Sequence, residues 1–280
     1  MSTIASRREV FRKLHESGCF LIPNPWDVGS ARYLSGLGFK ALATTSSGFA
    51  FSRGLPDAES AITRDAALAH IGEIVGATDL PVNADFQAAY GDGPAEVANS
   101  VRLCVDTGVA GLSIEDSTGD AAMPLFELPT AVERVKAARR AIDATGTGVL
   151  LTARAECHLV GHPEPLAESI RRLRAYADAG ADVLYAPGAR TREDVPAIVA
   201  AVAPKPVNVL MSASTGLMLG DLAALGVRRV SVGSALARTA WTGFIRAAKR
   251  LAEEGSFAGF EGSVTHAELN GLFVEHARTR

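Results

Sequence analysis

The chain has 280 residues, 48% of them apolar, with 28 Lys and Arg set against 31 Asp and Glu for a net charge of −3. That length suits one large α/β domain, and the apolar share is enough for a sizeable core. The slightly acidic balance and the 6% aromatic content argue against a nucleic-acid or polyanionic-membrane surface.

The opening residues, Met-Ser-Thr-Ile-Ala-Ser-Arg-Arg, hold no apolar signal core, and Glu9 and Glu16 do not suit a transit peptide. No run reaches the ~20 apolar residues that a membrane-spanning helix needs. Cys19, Cys104 and Cys157 are odd in number and lack CxxC spacing, which reads as reduced thiols. The expectation is a cytoplasmic protein with no membrane and no nucleic-acid partner.

A helix over 5–16 comes first. A short apolar run then alternates eight times with a longer amphipathic one. The runs at 20–23, 41–45, 81–85, 111–115, 149–154, 182–186, 207–211 and 229–232 show little polar alternation, as parallel strands buried on both faces do. Helical periodicity fills 26–37, 64–77, 94–107, 129–144, 165–179, 192–201, 215–225 and 234–253. Several helices open on proline and stop before Gly38, Gly108, Gly180 or Gly226, the usual start and stop asymmetry. No linker divides residues 1–280. The pattern predicts an α/β fold, a single (β/α)8 TIM barrel, with an N-terminal helix and a C-terminal helical extension over 255–280 suited to subunit packing.

Such barrels carry their chemistry at the C-terminal ends of the strands, where the loops converge. Strand one ends in Asn24-Pro25-Trp26-Asp27, and strand two in Thr44-Thr45-Ser46-Ser47-Gly48, with a loop reaching Asp57. Strand three ends in Asp85-Phe86-Gln87, strand four in Glu115-Asp116 and strand five in Arg154-Ala155-Glu156, while strand seven carries Asn208. Carboxylates at several strand ends suit Mg²⁺, which keeps some waters and needs only one or two direct ligands. Arg154 offers a fork for a substrate carboxylate. The backbone around Ser46, Ser47 and Gly48 can take a second anionic group, and Trp26, Asp27 and Asn208 complete the candidate substrate contacts. Cys157 and His158 read as packing or surface residues rather than as nucleophile and base. Ser234 reads as a helix N-cap. The residues imply a metal and a small anionic substrate but do not name the bond that breaks.

From Pro23 to Ser234 these motifs resemble the isocitrate lyase / phosphoenolpyruvate mutase superfamily. The likeness is densest over residues 84–92 and 111–116, joined by 44–48 and 152–154. The resemblance implies a (β/α)8 barrel whose last helix swaps between subunits, a homo-oligomer built as a dimer of dimers, and Mg²⁺ as cofactor. It implies that Asp85 binds the metal directly and that Asp57 and Glu115 hold metal-bound waters. Arg154 would grip a carboxylate, and Ser46, Ser47 and Gly48 the other end of a 2-oxo acid or enolate.

Two departures matter. Gln87 stands where the family has a second acid, so the metal's outer shell loses a negative charge and binding weakens. The loop Ser117-Thr118-Gly119-Asp120-Ala121-Ala122-Met123-Pro124-Leu125 lacks the Lys-x-Cys-Gly-His motif whose cysteine serves isocitrate and methylisocitrate lyases as acid/base. It also lacks the lysine and asparagine of a phosphonomutase gating loop. The resemblance then implies an Mg²⁺-dependent lyase, not a standard isocitrate lyase, that cleaves a C–C bond of, or decarboxylates, a small 2-oxo or 2-hydroxy diacid through an enolate. The alternatives are phosphonomutase or phosphonopyruvate hydrolase chemistry, including the carboxyvinyl-carboxyphosphonate type, and a barrel that only binds a metabolite. The proton donor stays open.

Overall fold

The computed structural model describes residues 2–59 and 61–278. Helix α1 (Ile4–Leu14) leads into β1 (Phe20–Ile22) and α2 (Val28–Gly36), and β2 (Leu42–Ala43) is followed by α3 (Ser46–Ser52) and α4 (Arg64–Ala77). Then come β3 (Val82–Asp85), α5 (Pro94–Asp106), β4 (Gly111–Glu115), α6 (Leu128–Ala144), β5 (Leu150–Arg154) and α7 (Pro165–Asp178). The last repeats are β6 (Val183–Tyr185), α8 (Asp194–Val202), β7 (Val207–Leu210), α9 (Leu219–Ala224) and β8 (Arg229–Ser231). Helix α10 (Ala235–Glu254), a 3₁₀ turn at Ala258–Phe260 and α11 (His266–Arg278) end the described chain.

All the strand pairings are parallel, in the order β1-β8-β7-β6-β5-β4-β3-β2. The seam between β1 and β2 is bridged by Ala43 N–H donating to Pro23 O at 3.0 Å and by Asn24 Nδ2 donating to Thr44 O at 2.9 Å. The sheet therefore closes on itself into the expected (β/α)8 barrel. Two elements depart from the sequence pattern. Helix α3 lies where a bare turn was expected, started by extended Thr45, whose side chain accepts from Gly48 N. The expected helix over 215–225 shrinks to α9, because Asp221 reaches back to Met218 N and starts the helix there.

The main core lies between the sheet and its helices. A second cluster of Phe11, Phe20, Ile22, Ala41, Ala43 and Ala110 fills the N-terminal end of the barrel, which α1 plugs. Phe11 enters because Gly111 leaves room: a Cβ there would sit 2.6 Å from the Phe11 ring and 2.7 Å from Asn83 Oδ1. Just above the plug, Arg229 is 3% exposed. Its Nε donates to Asn208 Oδ1 at 2.8 Å and its Nη2 to Thr152 Oγ1 at 3.1 Å, while Nη1 reaches His15 Nε2 at 3.4 Å. Burial, and then Arg229 itself, pull the His15 pKa down to about 3, so the ring stays neutral and accepts. The floor of the barrel is thus a polar layer around one buried guanidinium.

Helices α10 and α11 leave large apolar side chains exposed, among them Trp241, Phe244, Ile245 and Phe273. Among the described residues no helix is long and apolar enough to cross a membrane. Gly111→Ala overpacks the plug, so chemical denaturation should show it about 1–3 kcal/mol less stable than wild type; equal stability would mean that the glycine is not what admits Phe11.

Candidate active site

A cavity of about 640 Å³ opens at the C-terminal ends of the strands, and its wall includes residues from nearly every one of them. Side chains on a strand point alternately in and out. At the end of β4, Glu115 faces the cavity, while Asp116 turns outward to Arg172 (3.0 Å), the Tyr176 hydroxyl and Glu156 N (2.8 Å). The outward acid pins the β5 loop, leaving the inward one for chemistry.

Three strand ends meet at Arg154. Its Nη1 lies 2.8 Å from Asp85 Oδ1 and 2.8 Å from Glu115 Oε2, and its Nε 2.8 Å from Glu156 Oε1. The second oxygen of Asp85 accepts from both Ser46 N and Ser46 Oγ at 2.9 Å. Asp85 is therefore gripped between a guanidinium and the first turn of α3, where free N–H groups favour an anion.

The expected site residues separate into two groups. Asp57, Asp85, Gln87, Glu115, Arg154, Ser46, Ser47 and Asn208 all line the cavity. Trp26, Asp27 and Gly48 do not. Asp27 caps α2 by accepting from Ser30 N at 2.7 Å. Gly48 is a packing residue, for a Cβ there would come within 2.6 Å of the Thr45 methyl and 3.1 Å of Trp26 Cβ. Asn208 faces the cavity as part of the Arg229 layer. Cys157 lies outside the cavity wall, and burial pushes its thiol up to about 11, which keeps it protonated and inert. His158 lies outside the wall as well. Ser234 takes the N-cap position of α10, yet its side chain makes no cap hydrogen bond.

Glu59, Glu156, Tyr185 and Arg229 also line the cavity, and the sequence pattern did not single them out. Glu59 and Glu156 each sit two residues past a recognised position, Asp57 and Arg154, which was the available signal. Arg134 was also missed. Its guanidinium donates to Ala88, Gly91 and Asp92 carbonyls and lies over the Phe126 ring at 4.0 Å. That clamp holds the loop after β3, where Gln87, Ala89 and Tyr90 all have positive φ. Gln87 is buried there with its Oε1 accepting from the Tyr90 hydroxyl at 2.6 Å. Such conformations persist only where surroundings enforce them.

The electrostatics are strongly acidic. Asp57, Glu59, Asp85, Glu115 and Glu156 line the cavity against Arg154, Arg229 and Arg238. Burial raises the pKa of Glu115 well above the carboxylate range, against the pull of Arg154. Burial likewise raises Asp57, helped by the charge of Asp85, and pushes Glu156 up to about 7. Glu59 is raised by burial although it is hydrogen-bonded to Glu115 and Ala88. Among the described residues no three His, Cys, Asp or Glu side chains form a cluster that could hold a metal ion by themselves. Mg²⁺ asks for less, one or two carboxylates and several waters. A set of hard oxygens in excess of its cations fits such an ion.

Glu59→Gln removes one of these crowded charges. An acid whose folded pKa is raised costs stability as pH rises above its ordinary value near 4.5, so without metal the variant should melt higher than wild type by a margin that grows from pH 4 to pH 8. A margin that shrinks as pH rises would contradict the reading.

A family model described as phosphoenolpyruvate phosphomutase matches residues 11–252. A solved structure from Burkholderia cenocepacia J2315, provisionally assigned as a lyase/mutase, is similar with a TM-score of 0.92 and 48% identity, covering 97% of this chain and 97% of that one. Oxaloacetate acetylhydrolase in complex with its product oxalate is similar with a TM-score of 0.87 and 27% identity, over 98% of this chain and 96% of that one. The 2-methylisocitrate lyase of Halalkalibacterium halodurans is 28% identical over 274 residues, 92% of this chain and 87% of that protein. The matched span contains all eight strands and the Asp85, Glu115 and Arg154 junction, and on that ground the chain belongs to the phosphoenolpyruvate phosphomutase family, within the phosphoenolpyruvate mutase/isocitrate lyase superfamily of lyases and mutases.

Proposed function

We propose that this protein is an Mg²⁺-dependent carbon–carbon lyase that cleaves or decarboxylates a small 2-oxo or 2-hydroxy diacid through an enolate. The observation that carries this reading is the convergence of Asp85 and Glu115 on Arg154 inside a cavity richer in carboxylates than in arginines. Asp85 would hold the ion directly, Asp57 and Glu115 would hold its waters, and Gln87 would sit in the outer shell. When bound, Mg²⁺ supplies positive charge for an oxygen that becomes an enolate.

The chain's own residues supply binding and orientation. Arg154 Nη1 and Nε are held by Asp85, Glu115 and Glu156, which fixes the plane of the guanidinium beside the substrate carboxylate. Ser46 orients Asp85 through two hydrogen bonds, and Ser47 stands next to it on the cavity wall for the other end of the substrate. Asn208, locked by Arg229, offers a fixed amide from the far side. Carbon–carbon cleavage is favoured over P–C chemistry because the loop after β4 brings no lysine or asparagine to the cavity, and because relatives named for oxaloacetate and 2-methylisocitrate cleavage match across most of the chain. The phosphomutase family description supports the P–C reading as the runner-up. We further read the protein as a cytoplasmic homo-oligomer, since the apolar face of α10 and α11 is what a second copy would cover.

The test is a panel of oxaloacetate, alkylmalates and phosphonopyruvate with and without Mg²⁺, followed by product assay and ³¹P NMR. The expected result is Mg²⁺-dependent cleavage of a diacid such as oxaloacetate, reduced at least ~100-fold in Asp85→Ala. Inactivity on every diacid would sink the reading, and phosphonopyruvate turnover alone would replace it with P–C chemistry.

A further inference from the structure

A lyase of this kind must protonate the enolate it makes, and the loop after β4 supplies no acid. It folds into a compact turn, with Ser117 bridged to Leu125 and Asp120 Oδ1 accepting from Ala122 N at 2.8 Å, and it brings only Ser117 and Gly119 to the cavity. Neither Cys157 nor His158 reaches the wall. The carboxyls of Asp57, Asp85 and Glu115 are assigned to the cation, Glu156 is held on Arg154 Nε, and Glu59 is engaged with Glu115. Beyond these carboxyls and the weakly acidic serine and threonine hydroxyls, the wall carries the phenol of Tyr185. Tyr185, the last residue of β6, is 7% exposed, lines the cavity and lies under Arg154, whose Cζ is 5.1 Å from the ring centroid.

The barrel floor sets the direction of that hydroxyl. Arg229 can only donate, so the amide of Asn208 must turn Oδ1 down toward Arg229 Nε (2.8 Å) and Nδ2 up. Asn208 Nδ2 then donates to Ser231 Oγ at 3.0 Å. Ser231 and Tyr185 both line the cavity, and the Ser231 hydroxyl lowers the Tyr185 pKa against the larger raising effect of burial. Because Ser231 Oγ accepts from Asn208, its own proton is free to turn toward Tyr185 Oη. With Ser231 donating to it, the Tyr185 hydroxyl would turn its own proton into the cavity that the residue lines. Arg229 has no carboxylate among these partners, so nothing at the start of the chain reverses its sense.

Resting on the lyase reading, we infer that Tyr185 is the catalytic acid, oriented through Ser231 and Asn208 by the buried guanidinium of Arg229. The enolate π pair forms the new C–H bond with the Tyr185 hydroxyl proton, and the O–H pair stays on oxygen as phenolate. The Arg154 guanidinium over the ring stabilises that phenolate. A cavity water then returns a proton to it and leaves as hydroxide. Asn208 and Arg229 transfer nothing; they are positioning residues.

Microscopic reversibility makes the same group the base that exchanges pyruvate methyl protons with solvent, and this step can be read without knowing the natural diacid. The experiment is ¹H NMR of pyruvate in D₂O with Mg²⁺ and wild type, Tyr185→Phe, Ser231→Ala or the double variant, with oxalate binding measured by calorimetry as the control for an intact site. Tyr185→Phe should exchange at least ~100-fold more slowly while binding oxalate within about threefold of wild type. Ser231→Ala should slow exchange roughly tenfold in the tyrosine background and have no further effect in the phenylalanine background. Exchange by Tyr185→Phe at near wild-type rate, no exchange by wild type, or an equal Ser231→Ala loss in both backgrounds overturns the inference. Tyrosine-dependent exchange without cleavage of any diacid would sink the lyase reading and leave Tyr185 in place, so the two failures are distinguishable.

Discussion

The arrangement depends on one buried cation. Arg154 sits at the end of β5 and touches carboxylates from β3, from β4 and from its own loop. Desolvating that many charges is expensive, and the cost is offset only when each charge keeps good partners at short range. The three 2.8 Å contacts meet that condition, and they oblige the ends of β3, β4 and β5 to stay in register. A ring of strands joined by continuous parallel pairing is a frame stiff enough to hold them there.

Around that junction, further arginines fasten the loops that a barrel otherwise leaves loose. Arg134 holds the left-handed loop after β3 by its carbonyls, and Arg172 holds Asp116, which in turn receives Glu156 N. Each is almost wholly buried, and each serves a residue next to the cavity rather than the cavity itself. Arg229 does the same from below, through amide and hydroxyl partners instead of acids. The site is therefore set by side-chain hydrogen bonds from three directions: from the helix layer, from the neighbouring strand ends and from the barrel floor.

The fold that carries the Arg154 junction is shared with proteins as differently named as oxaloacetate acetylhydrolase and 2-methylisocitrate lyase. Ser117 and Gly119 bring the loop after β4 to the cavity wall. Here that loop is short, closed on itself and packed so near Glu59 that a Cβ on Gly119 would lie 2.7 Å from Glu59 Cγ. On the lyase reading, the proton donor then comes from elsewhere on the wall.

The barrel was legible in the sequence because eight buried parallel strands leave eight uninterrupted apolar runs, and helix ends leave their prolines and glycines. Asp85, Glu115 and Arg154 were legible for a related reason: they terminate those runs, and the last inward position of a barrel strand must face the mouth. Local chemistry could also have placed Asp27, since its cap on Ser30 is a contact three residues away. What no local pattern carries is which polar residues meet across the barrel. Glu59 reaches Glu115 from another loop, and Arg229, inside a strand that looks merely apolar, meets Asn208, Thr152 and His15 from three separate segments. Those contacts join residues from 21 to 214 positions apart, and only closure of the sheet brings them within hydrogen-bonding distance. Sequence alone determined the frame and the strand ends, whereas the tertiary structure decided the partners, because hydrogen bonds depend on distance in space.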